Sequence, residues 1–379
     1  MWRRGERLYA LLVVLVVLLE ALALGGLVVA FSGRIFNLLG SPVAYRALFQ
    51  ALVLTGLALT SLSAYILLYH AYTASKERLD RKAYEDWLAR FTEALFAGEA
   101  PPRPPWPRPA LEALLNLREI LKGEFSERIT EWLRQANLPW PRILRARLTS
   151  RPLRLEALEA LAQARLPETL EVILPYLAHP DPVLRLAAAR AGARVAQGDG
   201  VLDLANALLE AALPRGALLE VLLLLEDRGG PVVEYFLTRG GQEEVWAALE
   251  AVGRMKLFSL AEKVLAFLDH PDPELRAAAM RALYRLRYLP QGYEGVLLGA
   301  LKDPEEFLRV HAARLLALLN NELAQRALWK ALADPSFYVR RAAAEGLLLA
   351  NRDLLVRAAE AHPDPYGKAM AQQVLREAA

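Results

Sequence analysis

The sequence predicts an all-α protein in which a two-helix transmembrane hairpin precedes an α-solenoid of short helical repeats. Two long apolar segments occupy the N-terminal part, a proline-rich segment follows them, and a short motif then recurs about every 30 residues. The predicted regions are 1–74 for the transmembrane hairpin, 75–109 for an amphipathic helix and linker, and 110–379 for the α-solenoid.

The hairpin prediction rests on two apolar spans, 8–31 and 47–72. At about 1.5 Å per residue, a helix of either length crosses a hydrocarbon core of about 30 Å. Basic residues flank the two spans on the same side: Arg3, Arg4, Arg7, Lys76, Arg78, Arg81 and Lys82. This bias places the N-terminus and the C-terminal region in the cytosol of a cell with an inner membrane.

The first span has an alternative interpretation as a cleaved signal peptide, because Ala21-Leu22-Ala23 follows a basic start and an apolar run. The apolar run continues to Phe31, which favours a span. Glu20 lies near its middle, where an ionisable side chain is costly. We expect a protonated carboxyl group that hydrogen-bonds to a hydroxyl of the second span, with an intramembrane functional role as the alternative.

The basic pI of 9.0 comes from the membrane part. Residues 1–72 hold five of the 46 basic residues and two of the 43 acidic ones, which leaves 41 of each in 73–379. The solenoid is therefore neutral overall, which argues against a nucleic-acid-binding protein. The chain has no cysteine, which excludes disulfides and cysteine-ligated metals.

The region between the spans and the repeats has two parts. Apolar residues at helical spacing predict an amphipathic helix over 75–98. It either continues the second span or lies along the membrane surface, with Trp87 and Phe91 as interface anchors, or it packs on the solenoid. Six prolines within 101–109 then predict an extended spacer.

A proline, a leucine or valine, a basic residue and paired alanines recur in phase from about residue 150. Clear copies begin at His179-Pro180, His270-Pro271, Asp303-Pro304 and Asp334-Pro335. The basic residue recurs at Arg154, Arg185, Arg276, Arg309, Arg340 and Lys368, in steps of 31, 91, 33, 31 and 28 residues. The step of 91 predicts two degenerate repeats, near Pro214-Arg215 and Gly240-Gly241.

At these residues the sequence resembles the HEAT-repeat family, in particular its short bacterial members related to phycobilisome-lyase HEAT-like repeats. The resemblance implies two helices, A and B, in each repeat and an extended concave surface formed by the B helices. It also implies surface recognition as the function.

The repeated charges predict a structural ladder. Aspartates at the helix starts cap the helices, and each arginine one turn later is expected to pair with an aspartate of the same or the next repeat. The predicted ladder consists of Asp181, Arg185, Asp272, Arg276, Asp303, Arg309, Asp334 and Arg340.

No catalytic or cofactor motif is present in the sequence. No histidine precedes a glutamate, as the di-iron members of the family require, and phosphate-loop and zinc-protease motifs are missing. His179, His270 and His362 share one repeat position and are expected to cap loops. The sequence therefore predicts neither an enzyme nor a bound cofactor.

The predicted function is a membrane-anchored scaffold that binds a partner protein through its B helices. The predicted B helices are 168–178, 200–213, 231–238, 258–268, 291–301, 321–333 and 351–361. Aromatic side chains often anchor interfaces, and five lie in these segments: Tyr176, Tyr235, Phe236, Tyr293 and Trp329. The alternatives are a HEAT-like enzyme or cofactor-handling protein and, least favoured by the charge, a nucleic-acid binder.

Overall fold

The computed structural model describes residues 22, 23, 25, 26, 30, 42–136 and 138–378. These residues form helices, turns and loops without any strand. The chain divides into two compact units, Met1–Leu114 and Leu115–Ala379.

The first unit is dominated by a single helix, α1 (Pro42–Ala97), of 56 residues. It includes both the predicted second span and the predicted amphipathic helix. Its Arg46–Ala97 portion is long and apolar enough to cross a membrane, with a mean hydropathy of 2.0 in its most apolar window. Most of the predicted first span, 8–31, and Glu20 lie outside the described residues, so the two-helix hairpin stays a prediction.

The two ends of α1 differ in burial. Large apolar side chains are 41% to 71% exposed between residues 48 and 72: Leu48, Phe49, Val53, Leu54, Leu57, Leu59, Leu62, Tyr65, Ile66, Leu68, Tyr69 and Tyr72. Phe91 and Leu95, near the other end, are buried. The prediction of Phe91 as a membrane-interface anchor is therefore wrong, since its ring is enclosed by protein.

The proline-rich segment is not helical over 101–107, as predicted, but it does not behave as a free spacer. Trp106 packs edge-on against Phe91, with the ring centres 5.3 Å apart. Its indole N–H donates to the carbonyl oxygen of Pro102 at 2.8 Å. The side chain of Trp106 therefore holds the proline-rich segment against α1, a contact that the pattern of prolines did not predict.

The helices that follow are short. The first three are α2 (Arg108–Ile120), α3 (Glu124–Gln135) and α4 (Trp140–Arg145). The A helices are α5 (Arg151–Ala164), α7 (Pro182–Val195), α9 (Arg215–Leu224), α11 (Gln242–Met255), α13 (Pro273–Leu286), α15 (Glu306–Leu316), α17 (Phe337–Ala350) and α19 (Pro365–Glu377). The B helices are α6 (Leu170–Ile173), α8 (Gly200–Glu210), α10 (Gly230–Arg239), α12 (Ala261–Leu265), α14 (Glu294–Ala300), α16 (Glu322–Ala331) and α18 (Arg352–Ala361).

Each A helix packs against the A helix of the next repeat and against neighbouring B helices, which forms an α-solenoid. Small side chains permit this close packing: Ala188, Ala278, Ala313 and Ala343 are fully buried. Gly253 of α11 has the same role, because a Cβ atom there would lie 3.0 Å from the Cα atom of Ala282 on α13. The core is therefore a continuous layer between consecutive repeats.

The two degenerate repeats are present where the step of 91 residues predicts them. Helix α9 begins directly after Pro214, and α11 begins directly after Gly241. The B helices also begin close to their predicted positions, although some end earlier than expected.

Candidate functional site

The recurring arginine first binds the loop before its own helix. Arg276 donates from Nη1 to the carbonyl oxygens of His270, at 3.0 Å, and Pro271, at 3.1 Å. Arg185, Arg309 and Arg340 make the same pair of contacts in their own repeats. The guanidinium group thus satisfies two carbonyl groups in every clear copy of the motif.

Two of these arginines also bind a carboxylate of the following repeat. Arg276 Nη2 lies 2.8 Å from Asp303 Oδ2, and Arg309 Nε lies 2.9 Å from Asp334 Oδ2. All four side chains are at most 20% exposed. These two pairs connect three consecutive repeats.

The other members of the predicted ladder are placed differently. Asp181 and Asp272 lie two residues later in their loops than Asp303 and Asp334 do, and they cap their own helices by accepting from Val183 N and Glu274 N. That bond from Val183 N, together with Arg151, holds the pKa of Asp181 below its ordinary value. The prediction of a uniform ladder is therefore wrong. The aspartates occupy two different loop positions, and those at the later position cap their own helices instead of pairing with the recurring arginine.

The remaining two arginines have no aspartate partner among the described residues. Arg185 faces a degenerate repeat, which lacks an aspartate at this position, and its Nε atom is buried without a hydrogen bond. Arg340 lies over the ring of Tyr366, at 5.4 Å from its centre.

The three histidines of the loops have a capping role, as predicted. In each case Nδ1 accepts the backbone N–H of the aspartate two residues later, at 3.0 to 3.1 Å: His179 with Asp181, His270 with Asp272, and His362 with Asp364. They lie in three separate loops.

Two of the five aromatic residues predicted to bind a partner lie in the core. Phe236 is fully buried and Tyr176 is 9% exposed, with its hydroxyl bonded to the carbonyl oxygen of Leu144. The prediction is wrong for these two, because they belong to the core. Tyr235, Tyr293 and Trp329 are partly exposed, in three different repeats, so their role in binding a partner stays a prediction.

A cluster of charges that the sequence did not predict lies on α11 and α13. Glu250 is 3% exposed and accepts from Arg281 Nε at 2.5 Å and from Arg285 Nη1 at 2.6 Å. Arg254 Nε lies 3.8 Å from the same carboxylate. Burial raises the pKa of Glu250, but the bonds from Arg285 and Arg281 outweigh it, so the pKa lies below its ordinary value. The carboxylate is therefore ionised at neutral pH.

His311 of α15 extends this cluster. Its Nε2 atom lies 3.4 Å from Arg281 Nη1. Burial, followed by the charges of Arg281 and Arg314, lowers the pKa of His311 to about 4. The ring is neutral at pH 7, so Nε2 accepts from Arg281 and the proton is on Nδ1.

An open pocket of about 200 Å³ lies between α13 and α15, lined by Met280, Arg281, Tyr284, Arg285, His311 and Arg314. None of these six residues is acidic. Arg314 is exposed and has no ion-pair partner in the described part of the chain. Arg281, Arg285 and Arg254 surround the carboxylate of Glu250, and Arg314 adds a further positive charge to the lining of the pocket. The pocket therefore carries excess positive charge suited to an anion.

Metal ligands do not gather in the same way. No group of three or more histidine, cysteine, aspartate or glutamate side chains is close enough to bind a metal ion within residues 42–136 and 138–378.

Comparison with known proteins identifies the repeats around the pocket. Residues 261–348 match the family of HEAT repeats. The matched segment includes every residue that lines the pocket, whereas Glu250 precedes it. No curated protein matches the chain.

Two of the solved structures that are similar to the chain are engineered or designed proteins. One is an engineered protein, with 17% identity over 78% of this chain and 94% of the other, and a TM-score of 0.37. The other is a designed armadillo repeat protein in complex with the peptide (KR)4, with 17% identity over 63% of this chain and 99% of the other, and a TM-score of 0.30. Because both scores are low, the solenoid assignment depends on the helix packing and the HEAT match.

One sequence signal does point to Glu250. It is the ninth residue of α11, and the ninth residues of α13 and α15 are Arg281 and Arg314. Opposite charges at the same position of neighbouring A helices predict an ion pair between repeats. Comparison of repeats by position, rather than by motif, would have found it.

Proposed function

We propose that the chain is a membrane-anchored scaffold that binds a partner protein on its HEAT-repeat solenoid at the cytosolic face of an inner membrane. The observation that carries the proposal is the exposure of α1 between residues 46 and 72, in a chain that also contains a stacked repeat array. An apolar helical surface of this length that is exposed in the described part of the chain is stable in lipid but not in water.

The basic residues after the span support the orientation. Lys76, Arg78, Arg81 and Lys82 follow the apolar part of α1 directly. Lysine and arginine close to a span are retained on the cytosolic side. The solenoid, which follows them in the chain, then lies in the cytosol.

The repeat array supports the binding role. Stacked helix pairs present a long surface without a single deep cleft, and such surfaces are used to bind other proteins. The alternatives of an enzyme, a lyase-like cofactor handler and a nucleic-acid binder have no supporting observation among the described residues.

The membrane part is tested by extraction and protease protection of the full chain with a C-terminal tag. We expect the protein to stay in the membrane pellet after alkaline carbonate treatment. We also expect the tag to resist protease in spheroplasts and to be lost in inverted vesicles. Release by carbonate, or digestion of the tag in spheroplasts, would contradict the proposal.

The scaffold part is tested by purification of the full chain from native membranes in mild detergent, followed by cross-linking and mass spectrometry. We expect a stoichiometric partner whose cross-links fall in 115–379. A partner cross-linked exclusively to 1–114, or no stoichiometric partner, would contradict binding through the solenoid.

A further inference from the structure

The geometry points to a specific ligand class for the arginine pocket between α13 and α15: the carboxylate side chains of an acidic segment in the partner protein. This inference rests on the proposed scaffold function. It adds where the partner binds, on the A helices rather than the B helices, and which chemistry it presents.

The first argument is unequal charge. In the ladder, Arg309 has one carboxylate, Asp334, and both side chains are largely buried. In the pocket, Arg281 and Arg285 share the carboxylate of Glu250, and Arg314 has none within the described chain. Their remaining N–H groups are therefore free to bind a second anion.

The second argument is that the cluster is preorganised. Glu250 fixes Arg281 and Arg285 through short bonds, and His311 holds a further N–H of Arg281. Fixed guanidinium groups lose little conformational entropy when a carboxylate binds, and their planar forks match its two oxygens.

The third argument concerns the size and lining of the pocket. At about 200 Å³, its volume suits a carboxylate side chain better than a large headgroup. Met280 and Tyr284 provide apolar contact for the aliphatic part of a glutamate. The pocket therefore offers guanidinium groups to the carboxylate of the ligand and an apolar wall to its methylene groups.

The fourth argument separates an acidic segment from extended polyanions. Residues 73–379 contain 41 basic and 41 acidic residues, so the solenoid has no general positive charge to attract a lipid surface or nucleic acid. The excess is local, and a short acidic segment is the matching partner.

The test is fluorescence anisotropy with the purified full chain in detergent at about 0.15 M salt. The probe is a fluorescein-labelled decapeptide of alternating glutamate and serine. The same peptide with glutamine in place of glutamate is the neutral control. We expect the acidic peptide to bind and the glutamine peptide to bind at least about tenfold more weakly.

Two variants locate the site. Arg314→Gln removes an exposed arginine without an ion pair, so the fold is expected to survive, and binding should weaken about five- to tenfold. Arg357→Gln, which changes an exposed arginine of α18, should leave binding unchanged. Equal affinities of the two variants, or equal binding of the two peptides, would overturn the inference.

Two further arms identify other ligands. If inorganic phosphate displaces the peptide at concentrations at or below the peptide's own Kd, the pocket is a phosphate site and the inference fails. If phosphatidylglycerol vesicles bind in an Arg314-dependent way while the peptide does not bind, the ligand is lipid and the inference also fails. Because the assay needs no natural partner, its failure is distinguishable from failure of the cross-linking experiment.

Discussion

Two sets of arginines in the same helical repeats have opposite surroundings. Arg276 and Arg309 each bind one carboxylate of the next repeat and two carbonyl oxygens of their own loop. On the same two helices, Arg281 and Arg314 line an open pocket in which arginines outnumber carboxylates. The comparison teaches that an arginine with a carboxylate partner of its own holds repeats together. An arginine in a cluster with too few carboxylates is available to a ligand.

The largest expected effect on stability is for the arginines that each have a carboxylate partner. Asp334→Asn removes the carboxylate that Arg309 binds and leaves a largely buried guanidinium group without its counter-ion. We expect the free energy of local opening of α15 and α17 to fall by about 2 to 3 kcal/mol. Amide hydrogen exchange would measure this opening free energy. Asp269→Asn, at an exposed loop position, is the control and should change the opening free energy by less than about 0.5 kcal/mol.

A smaller effect is expected for the carboxylate at the edge of the pocket. Glu250→Gln keeps the size of the side chain but removes the charge that Arg281 and Arg285 share. Both arginines are partly exposed and can be hydrated, so we expect a loss of about 1 to 2 kcal/mol in the opening of α11 and α13. Glu159→Gln, at an exposed position of α5, should be silent. An equally silent Glu250→Gln would show that the buried charge does not stabilise the repeats.

The pH dependence of stability gives a third comparison. Since the pKa of His311 is lowered to about 4 in the folded protein, the unfolded chain binds its proton first as the pH falls. The stabilising effect of the neutral ring is complete above about pH 6.5 and is lost progressively towards pH 4. The groups facing His311 are Arg281, Arg314, Arg285 and Glu250.

Between pH 7 and pH 5, the wild-type chain should therefore lose about 1 to 2 kcal/mol more than His311→Gln does. Urea denaturation of both proteins at the two pH values would measure the difference. Equal losses would mean that His311 titrates near its ordinary pKa in the folded chain.

The smallest effect on stability is expected for the pocket arginine that has no carboxylate partner in the described chain. Arg314→Gln should change the free energy of unfolding by less than about 0.5 kcal/mol, because this side chain is exposed and has no ion-pair partner in the described chain. A larger loss in urea denaturation would place Arg314 among the structural arginines.

The repeats were predictable because their signals are local. A proline or aspartate before an alanine-rich helix marks its start in each clear copy, and the 91-residue step located α9 and α11 without any motif. The continuity of α1 agrees with one of the alternatives for the amphipathic helix, that it continues the second span, although the composition changes within it.

The pocket was not predictable by the same means. Glu250, Arg281 and His311 come from three different A helices, and each looks like an ordinary polar residue in its own segment. The expected interface on the B helices rested on aromatic residues, whose burial depends on the packing of neighbouring repeats. Phe236 therefore belongs to the core, although its sequence context does not show it.

The most direct test is one set of thermal unfolding curves for wild type, Asp334→Asn and Arg314→Gln, each with and without the acidic peptide. A ligand that binds the folded state raises the midpoint. We predict that Asp334→Asn lowers the midpoint but keeps the peptide-induced rise, whereas Arg314→Gln keeps the midpoint but loses the rise. A peptide-induced rise that persists in Arg314→Gln and disappears in Asp334→Asn would contradict the division between structural and ligand-binding arginines.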